Sequence, residues 1–250
     1  MKTGTETREN ALLDWRRITH VLLDLDGTLL DKDFDDHLWQ ELVPMVYARE
    51  KGVSLQEAKT ILYTEYKKEW GRLNWNDIDH WSAVFGLEIV DLQRSVASRV
   101  AMHPGVTEFL KFVRAMGKPL HLVTNAHPKT LSTKMEQIPL AALFDEVLSA
   151  FQVGHAKEEI EFWEEAQHRL AFTPETTVLV DDNAEALRAA EEFGVVYVLH
   201  KSRASSTRPP EPHPEFPSIE YFSELMTIPG EGPETLKPWP TTRRVLQVCT

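Results

Sequence analysis

Cysteine is all but absent. The chain has 250 residues and a single cysteine, Cys249. That excludes an intrachain disulfide framework and a metal centre built on clustered thiolates. Positive charge is also scarce, with 27 Lys and Arg against 39 Asp and Glu, a formal net charge of -12 and a pI near 5.3. An acidic surface argues against a nucleic acid polymer as partner, because neutralising its phosphates requires Lys and Arg. One small phosphorylated ligand at a locally positive site remains compatible. Long apolar runs are missing too. No stretch approaches the roughly 20 residues a membrane helix needs. Met1 to Asn10 is polar and lacks the apolar centre of a signal peptide. The expectation is a cytoplasmic protein that does not engage a membrane.

What is present is ordinary globular material, 42% hydrophobic and 26% charged, with no internal repeat. Short, nearly continuous apolar runs recur at Ile18 to Asp26, Pro119 to Asn125, Glu146 to Phe151, Thr176 to Asp182 and Val195 to His200. Such runs suit strands buried on both faces of a parallel sheet. Between them lie helical patterns: Val106, Phe109, Leu110 and Val113; Ile160, Trp163, Ala166 and Leu170; Ala186, Leu187, Ala190 and Phe193. Strands alternating with helices predict an α/β fold, a Rossmann-like parallel sheet covered on both sides.

One stretch breaks the alternation. From about Phe34 to Met102 the pattern is helical only. Leu38, Leu42 and Val46 share a face, Ser54 with Glu57 reads as a capping box, and Asn76 is placed to cap a helix bearing Ile78, Trp81 and Phe85. Pro44 is expected to kink or shorten its helix. The organisation expected is a core of residues 1–33 and 103–228, a helical cap of 34–102 inserted after the first strand, and a Pro-rich tail of 229–250. Arg203 to Pro217 reads as loop, and Ser218 to Met226 as a short helix.

In open α/β sheets, ligands bind beyond the carboxyl ends of the strands. Those ends carry Asp24-Leu25-Asp26-Gly27-Thr28, Thr124-Asn125, then His155-Ala156-Lys157, and Asp181-Asp182-Asn183. Carboxylates gathered on one edge repel one another, so a divalent cation, Mg²⁺, is the natural partner. Lys157 and Thr124 suit the oxygens of a phosphate. Asp24 suits in-line attack on phosphorus, and Asp26 suits proton transfer to and from the reacting oxygens. Gly27 permits a sharp turn beside the phosphate. A calcium loop is the competing use of Asp-x-Asp-Gly, but its sixth and twelfth positions call for Gly and Glu. Counted from Asp24 they hold Leu29 and Asp35.

In order and placement, Asp24-Leu25-Asp26-Gly27-Thr28, Thr124, Lys157 and Asp181-Asp182 resemble the four motifs of the haloacid dehalogenase-like (HAD) hydrolase superfamily. The resemblance implies a Rossmann-like core with a cap between the first two motifs. It also implies Mg²⁺ held by Asp24, the Asp26 carbonyl and Asp182, with Asp181 acting through water. Ala156 departs from the pattern, which usually has Pro before the motif lysine. The cap and flanks further resemble bacterial GMP/IMP 5′-nucleotidases of this superfamily. The residues concerned are Phe34-Asp35, Trp39, Leu42-Val43-Pro44, Leu73-Asn74-Trp75, Asp79, Trp81, Gly86-Leu87-Glu88-Ile89 and Thr124-Asn125-Ala126-His127-Pro128. This implies a Mg²⁺-dependent phosphomonoesterase acting on a purine nucleoside 5′-monophosphate through an aspartyl-phosphate.

Gly27, Thr28, Asn125 and Trp75 are the substrate-binding candidates. Four of the 7 Trp, at 39, 70, 75 and 81, fall in the cap, where each either stacks on a base or fills the cap's small core. His127 lies within reach of the site from the loop after Asn125. A sugar-phosphate phosphatase or mutase shares the same core motifs and is the rival reading. A non-catalytic phosphate-binding protein on this scaffold would be expected to lose a carboxylate, and here all are present. A haloacid dehalogenase would not need Asp26.

Overall fold

The apolar runs do become strands of one parallel sheet. The computed structural model describes residues 12–227. β1 (His20–Leu23) is followed by a long helical excursion: α1 (Asp33–His37), α2 (Val43–Lys51), α3 (Leu55–Glu69), α4 (Ile78–Phe85) and α5 (Ile89–Ser95). The chain then alternates through α6 (Val106–Ala115), β2 (Leu120–Thr124), α7 (Pro128–Gln137), β3 (Glu146–Ser149), α8 (Ala150–Val153), α9 (Ile160–Leu170), β4 (Thr177–Asp181), α10 (Ala184–Phe193), β5 (Tyr197–Lys201) and β6 (Ser218–Ile219). The sheet order is β3-β2-β1-β4-β5-β6, with every pairing parallel. β1 is central, and strand order reverses beside it, the switch point where α/β sheets bind ligands.

Each strand feeds two cores because successive side chains point to opposite faces. Val21, Leu23, Leu120, Leu122, Val178 and Val180 pack with Phe109, Leu110, Val113 and Phe222 on one side. Leu22, Val123, Leu179 and Val198 pack with Phe162, Trp163, Leu187 and Ala190 on the other. The result is three layers, helix on sheet on helix. The helical insert has a cluster of its own, in which Leu38, Leu62, Tyr66, Ile78, Trp81 and Phe85 meet. No helix among the described residues is long and apolar enough to cross a membrane.

Several local expectations change in detail. Between α1 and α2, residues Leu38–Leu42 form a π-helical turn, and Pro44 sits in the first turn of α2. Proline has no N–H and crowds the preceding carbonyls, so the widened turn just ahead of it accommodates what a regular helix would not. Ser54 Oγ accepts from Glu57 N at 3.2 Å and starts α3. The cap of α4 is Asp77 rather than Asn76, with Asp77 Oδ1 accepting from Asp79 N and His80 N. Asn76 instead closes the 3₁₀ turn Leu73–Asn76.

Ser218 to Met226 is not one helix. Ser218–Ile219 joins the sheet edge, since His200 N donates to Pro217 O and Ser202 N to Ile219 O. Only Phe222–Leu225 turns, as a 3₁₀ segment that buries Phe222 and Leu225. Pairing with β5 satisfies backbone groups that a helix would have had to satisfy internally. The loop of residues 203–217 crosses the linkers into the cap: Lys32 N donates to Ala204 O and Ser206 N to Asp31 Oδ1. Residues 1–11 and the Pro-rich tail of 229–250 lie outside the described residues.

Candidate active site

The expected strand ends converge. Asp24 N still donates to Val180 O at 3.0 Å, so the side chain of Asp24 emerges just where the β1–β4 ladder ends. The chain then turns at Gly27, whose φ is +86°. A Cβ there would lie 2.4 Å from Asp182 Oδ2. Glycine is required twice, for the left-handed backbone and for the space Asp182 occupies.

Lys157 reaches this edge from the loop between α8 and α9. Its Nζ donates to Asp24 Oδ1 at 2.5 Å and to Asp181 Oδ2 at 2.6 Å. All three side chains are buried, with relative exposures of 2% for Lys157, 4% for Asp24 and 0% for Asp181. Burial drives the Asp24 pKa well above the usual carboxylate range; Lys157 opposes this, and Asp181, Asp182 and Asp26 add to it. Burial likewise pushes Asp181 up to about 6, against the pull of Lys157. Burial disfavours the Lys157 charge, yet Asp181 and Asp24 together hold it above the ordinary lysine range. Asp182 is half-buried and pairs with Lys32, Nζ to Oδ2 at 3.1 Å. That carboxylate holds the Lys32 pKa up against burial.

Asp26 points at a different cation. Its Oδ1 lies 2.7 Å from Nζ of Lys134. Lys134, on α7, is 1% exposed and also donates to Asp35 at 2.9 and 2.8 Å. Asp35 is pushed up to about 6 by burial, with Lys134 opposing and Asp26 reinforcing.

Thr124 is buried, and its Oγ1 accepts from Ala126 N at 3.0 Å. Asn125 turns its amide into the protein: Oδ1 accepts from Lys157 N, and Nδ2 donates to Glu158 Oε2. Glu158 Oε1 accepts in turn from Asn183 Nδ2 at 2.6 Å. Ala156 has a use that proline would forfeit, because its N–H donates to Glu159 Oε2 at 2.6 Å. Trp163 Nε1 donates to the Lys157 carbonyl at 2.8 Å and fixes the loop from beneath.

A cavity of about 850 Å³ lies between this edge and the cap. Asp24, Asp26, Thr124, Asn125, Lys157, Asp181 and Asp182 line one side. Trp39, Tyr63, Tyr66, Trp70, Trp75 and Trp81 line the other. Gly27 and Thr28 are not on the wall; Thr28 is fully buried, and its hydroxyl has no partner among the described residues. Trp81 is core, 1% exposed, with its Nε1 donating to Trp75 O. Trp75 is half-buried, edge-on to Tyr66 at 5.8 Å and tilted against Trp70 at 4.9 Å between ring centroids. Trp70 is 70% exposed. His127 also lines the cavity, its ring edge-on to Phe151.

Among the described residues, two clusters bring three metal-capable side chains together. Asp24, Asp181 and Asp182 offer ligand atoms within 4.8 Å of one another, and so do Asp77, Asp79 and His127. Lysines contact both: Lys129 Nζ lies 2.7 Å from each Asp79 oxygen of the second, and Lys157 and Lys32 pair with the carboxylates of the first. The first includes Asp24 Oδ2, buried and without a hydrogen-bond partner among the described residues. An all-oxygen set with an orphaned carboxylate oxygen fits a hard divalent cation such as Mg²⁺.

Lys134, Lys32 and Glu158 had no part in the sequence reading, and Asp35 entered it only through the calcium count and the resemblance, not as a partner of Lys134. Glu158 directly follows the motif lysine and was within reach of it. The other three pair across long sequence separations and leave no local signature.

A family model described as haloacid dehalogenase-like hydrolase matches residues 18–194. The chain belongs to that family and is a phosphatase, a hydrolase of phosphoric monoesters. Among curated proteins it is 34% identical over 212 residues to "GMP/IMP nucleotidase YrfG" of Escherichia coli (strain K12), covering 85% of this chain and 96% of the relative. It is 24% identical to the "Glyceraldehyde 3-phosphate phosphatase" of Methanocaldococcus jannaschii, covering 72% of this chain and 84% of the relative. Among solved structures, the HAD phosphatase from Thermococcus onnurineus superposes with a TM-score of 0.71 at 24% identity, covering 83% of this chain and 96% of that one.

Proposed function

We propose that the protein is a cytoplasmic, Mg²⁺-dependent 5′-nucleotidase that hydrolyses purine nucleoside monophosphates, GMP and IMP, through an aspartyl-phosphate. The observation that carries this reading is Asp24 Oδ2, buried and without a hydrogen-bond partner among the described residues, on a residue that lines a cavity of about 850 Å³ whose far wall is aromatic.

In this reading Asp24 Oδ2 attacks phosphorus, and the bond from phosphorus to the ester oxygen breaks. Asp26 gives that oxygen a proton, releasing the nucleoside. Asp26 then takes a proton from the water that attacks the aspartyl-phosphate, and Asp24 is restored. Lys134 keeps the Asp26 carboxylate aimed at the cavity from 2.7 Å. Lys157 holds Asp24 in place through Oδ1, which leaves Oδ2 for the phosphorus. Asp24, Asp182 and the Asp26 carbonyl would hold Mg²⁺, with Asp181 acting through water; the ion would neutralise charge on the phosphate. The cap, residues 34–102, supplies the base site, with Trp75 as a stacking surface.

The 34% identity to a protein named as a GMP/IMP nucleotidase supports the purine assignment. The two phosphatases named for glyceraldehyde 3-phosphate and phosphorylated carbohydrates, at 24% and 23%, favour a sugar phosphate as second reading. Phosphate release from a panel of monophosphates with Mg²⁺ separates the two. The purine reading expects GMP and IMP to lead; a sugar phosphate turned over far better than either would overturn it.

A further inference from the structure

Three loops must be held in register for Lys157 to sit between Asp24 and Asp181, and one side chain touches all three. Glu158 Oε2 accepts from Asn125 Nδ2 at 2.8 Å, and Glu158 Oε1 accepts from Asn183 Nδ2 at 2.6 Å. Asn125 follows β2, Glu158 follows Lys157, and Asn183 follows Asp181-Asp182.

Neither asparagine is free to turn over. Asn125 Oδ1 accepts from Lys157 N at 2.9 Å, and Asn183 Oδ1 accepts from Glu185 N at 3.0 Å. A backbone N–H only donates, so each amide oxygen is committed and each NH₂ must face Glu158. Two donors converging from opposite sides require two acceptors on one residue. A carboxylate offers them; a glutamine offers one acceptor and one further donor, which would confront an asparagine NH₂ head-on. The requirement at this position is therefore chemical and not steric.

We infer that Glu158 is a positioning residue for the phosphoryl-transfer site, clamping the three loops so that Lys157 is delivered to Asp24 and Asp181. The inference rests on the phosphomonoesterase reading of the Asp24 edge and is independent of which nucleotide the cap admits. Glu158 acts through Asn125 on the Lys157 backbone. It acts through Asn183 on Asp181, whose Oδ1 accepts from Asn183 N at 2.9 Å.

The test is a swap of hydrogen-bond polarity. Glu158→Gln removes one acceptor, and Asn125→Asp alone sets two carboxylates against each other. Together they rebuild the pattern with the same total charge. The carboxylate introduced by Asn125→Asp accepts from both Lys157 N and the new amide, whose oxygen accepts from Asn183. With p-nitrophenyl phosphate and Mg²⁺, each single variant is expected to lose roughly 10- to 100-fold in kcat, the scale of a misplaced catalytic group, with little change in KM. The double variant is expected to recover most of that loss.

Amide hydrogen exchange at Lys157 gives a readout that needs no turnover. It should accelerate in both single variants and slow again in the double. Melting temperatures confirm that each variant is folded. Wild-type kcat in Glu158→Gln, or a double variant no better than the worse single, overturns the clamp. So does unchanged exchange at Lys157 in the single variants. A wild-type protein inactive on every monophosphate would sink the phosphatase reading instead, and the exchange pattern would then judge the clamp.

Discussion

The carboxylate edge and the aromatic cap wall face each other across one cavity and are built on opposite principles. At the edge, Asp24, Lys157 and Asp181 are all but sealed from solvent, and Lys157 bridges the other two at 2.5 and 2.6 Å. Removing Lys157 leaves two buried carboxylates with no shared counterion, whereas removing either aspartate leaves Lys157 paired with the other. The cap wall is aromatic. Trp39, Trp75 and Trp81 meet Tyr66 at ring edges, at centroid distances of 5.1 to 5.9 Å, and Trp70 stands largely in water. A ring-on-ring wall accepts apolar residues of similar volume at small cost, whereas a buried charge pair accepts no such exchange of one partner. On the proposed function, the edge would set the reaction and the aromatic wall the choice of leaving group.

The sharpest way to break that division is to leave the edge its shape and remove the carboxylate proposed as its nucleophile. Asp24→Asn keeps an oxygen for Lys157 and offers nothing to attack phosphorus. Phosphate release should fall by roughly 10⁴-fold or more. Activity close to wild type would remove Asp24 from the reaction and dissolve the contrast. Lys157→Met is next in size. Two buried carboxylates lose their shared cation, and urea denaturation should show a loss of about 3 to 5 kcal/mol. Partial recovery on titrating Mg²⁺ would show that a cation can take over the neutralisation. Unchanged stability would mean that the pair with Asp24 and Asp181 is not what holds this edge together.

The same contrast explains what the sequence made legible. Asp24 and Asp26 were readable because Val21, Leu22, Leu23 and Leu25 mark a strand buried on both faces, and position at the end of such a strand is a local property. Thr124 and the Asp181-Asp182 pair follow by the same logic. Lys134 was not readable. It is a buried lysine on a helix whose partners Asp26 and Asp35 lie about a hundred residues upstream, and nothing in its neighbours distinguishes it from a solvated helix residue. Asn125 was visible as a strand-end residue, but which way its amide faces depends on Glu158 and Asn183, brought in from two other loops. Ser218–Ile219 became strand for a similar reason, since a two-residue strand exists only by pairing with β5.

The cap side of the comparison is sharpened by substitutions that should leave the chemistry alone. Trp70→Ala and Trp75→Ala remove aromatic faces that line the cavity. If a purine stacks there, KM for GMP should rise roughly tenfold, as expected for one lost base-aromatic stack. Turnover of p-nitrophenyl phosphate, which carries no base, should stay near wild type. Equal losses on both substrates would mean that these rings support the cap's fold and do not read the leaving group.

A buried titratable group remote from both walls gives the smallest effect and the control for the rest. His121 lies on β2 opposite Leu22 and Glu146, and is not among the residues lining the cavity. It is 7% exposed, and neither ring nitrogen has a hydrogen-bond partner among the described residues. Its ring stacks on His20 at 6.2 Å. Burial holds the pKa of His121 below its ordinary 6.5, and His20 adds to this, while Asp145 and Glu146 oppose it. Above pH 6.5 the imidazole is neutral whether the chain is folded or not, so its contribution to stability is intact. As pH falls below 6.5 the unfolded chain takes up a proton that the folded one resists, and stability declines toward the depressed folded value. His121→Phe removes that proton uptake. Its melting temperature should fall less steeply than wild type between about pH 7 and pH 5, with kcat on GMP and on p-nitrophenyl phosphate unchanged at neutral pH. A parallel pH profile in the variant would show that His121 does not titrate in this window. A change in kcat would show that burial at this end of β2 reaches Thr124 and the carboxylate edge.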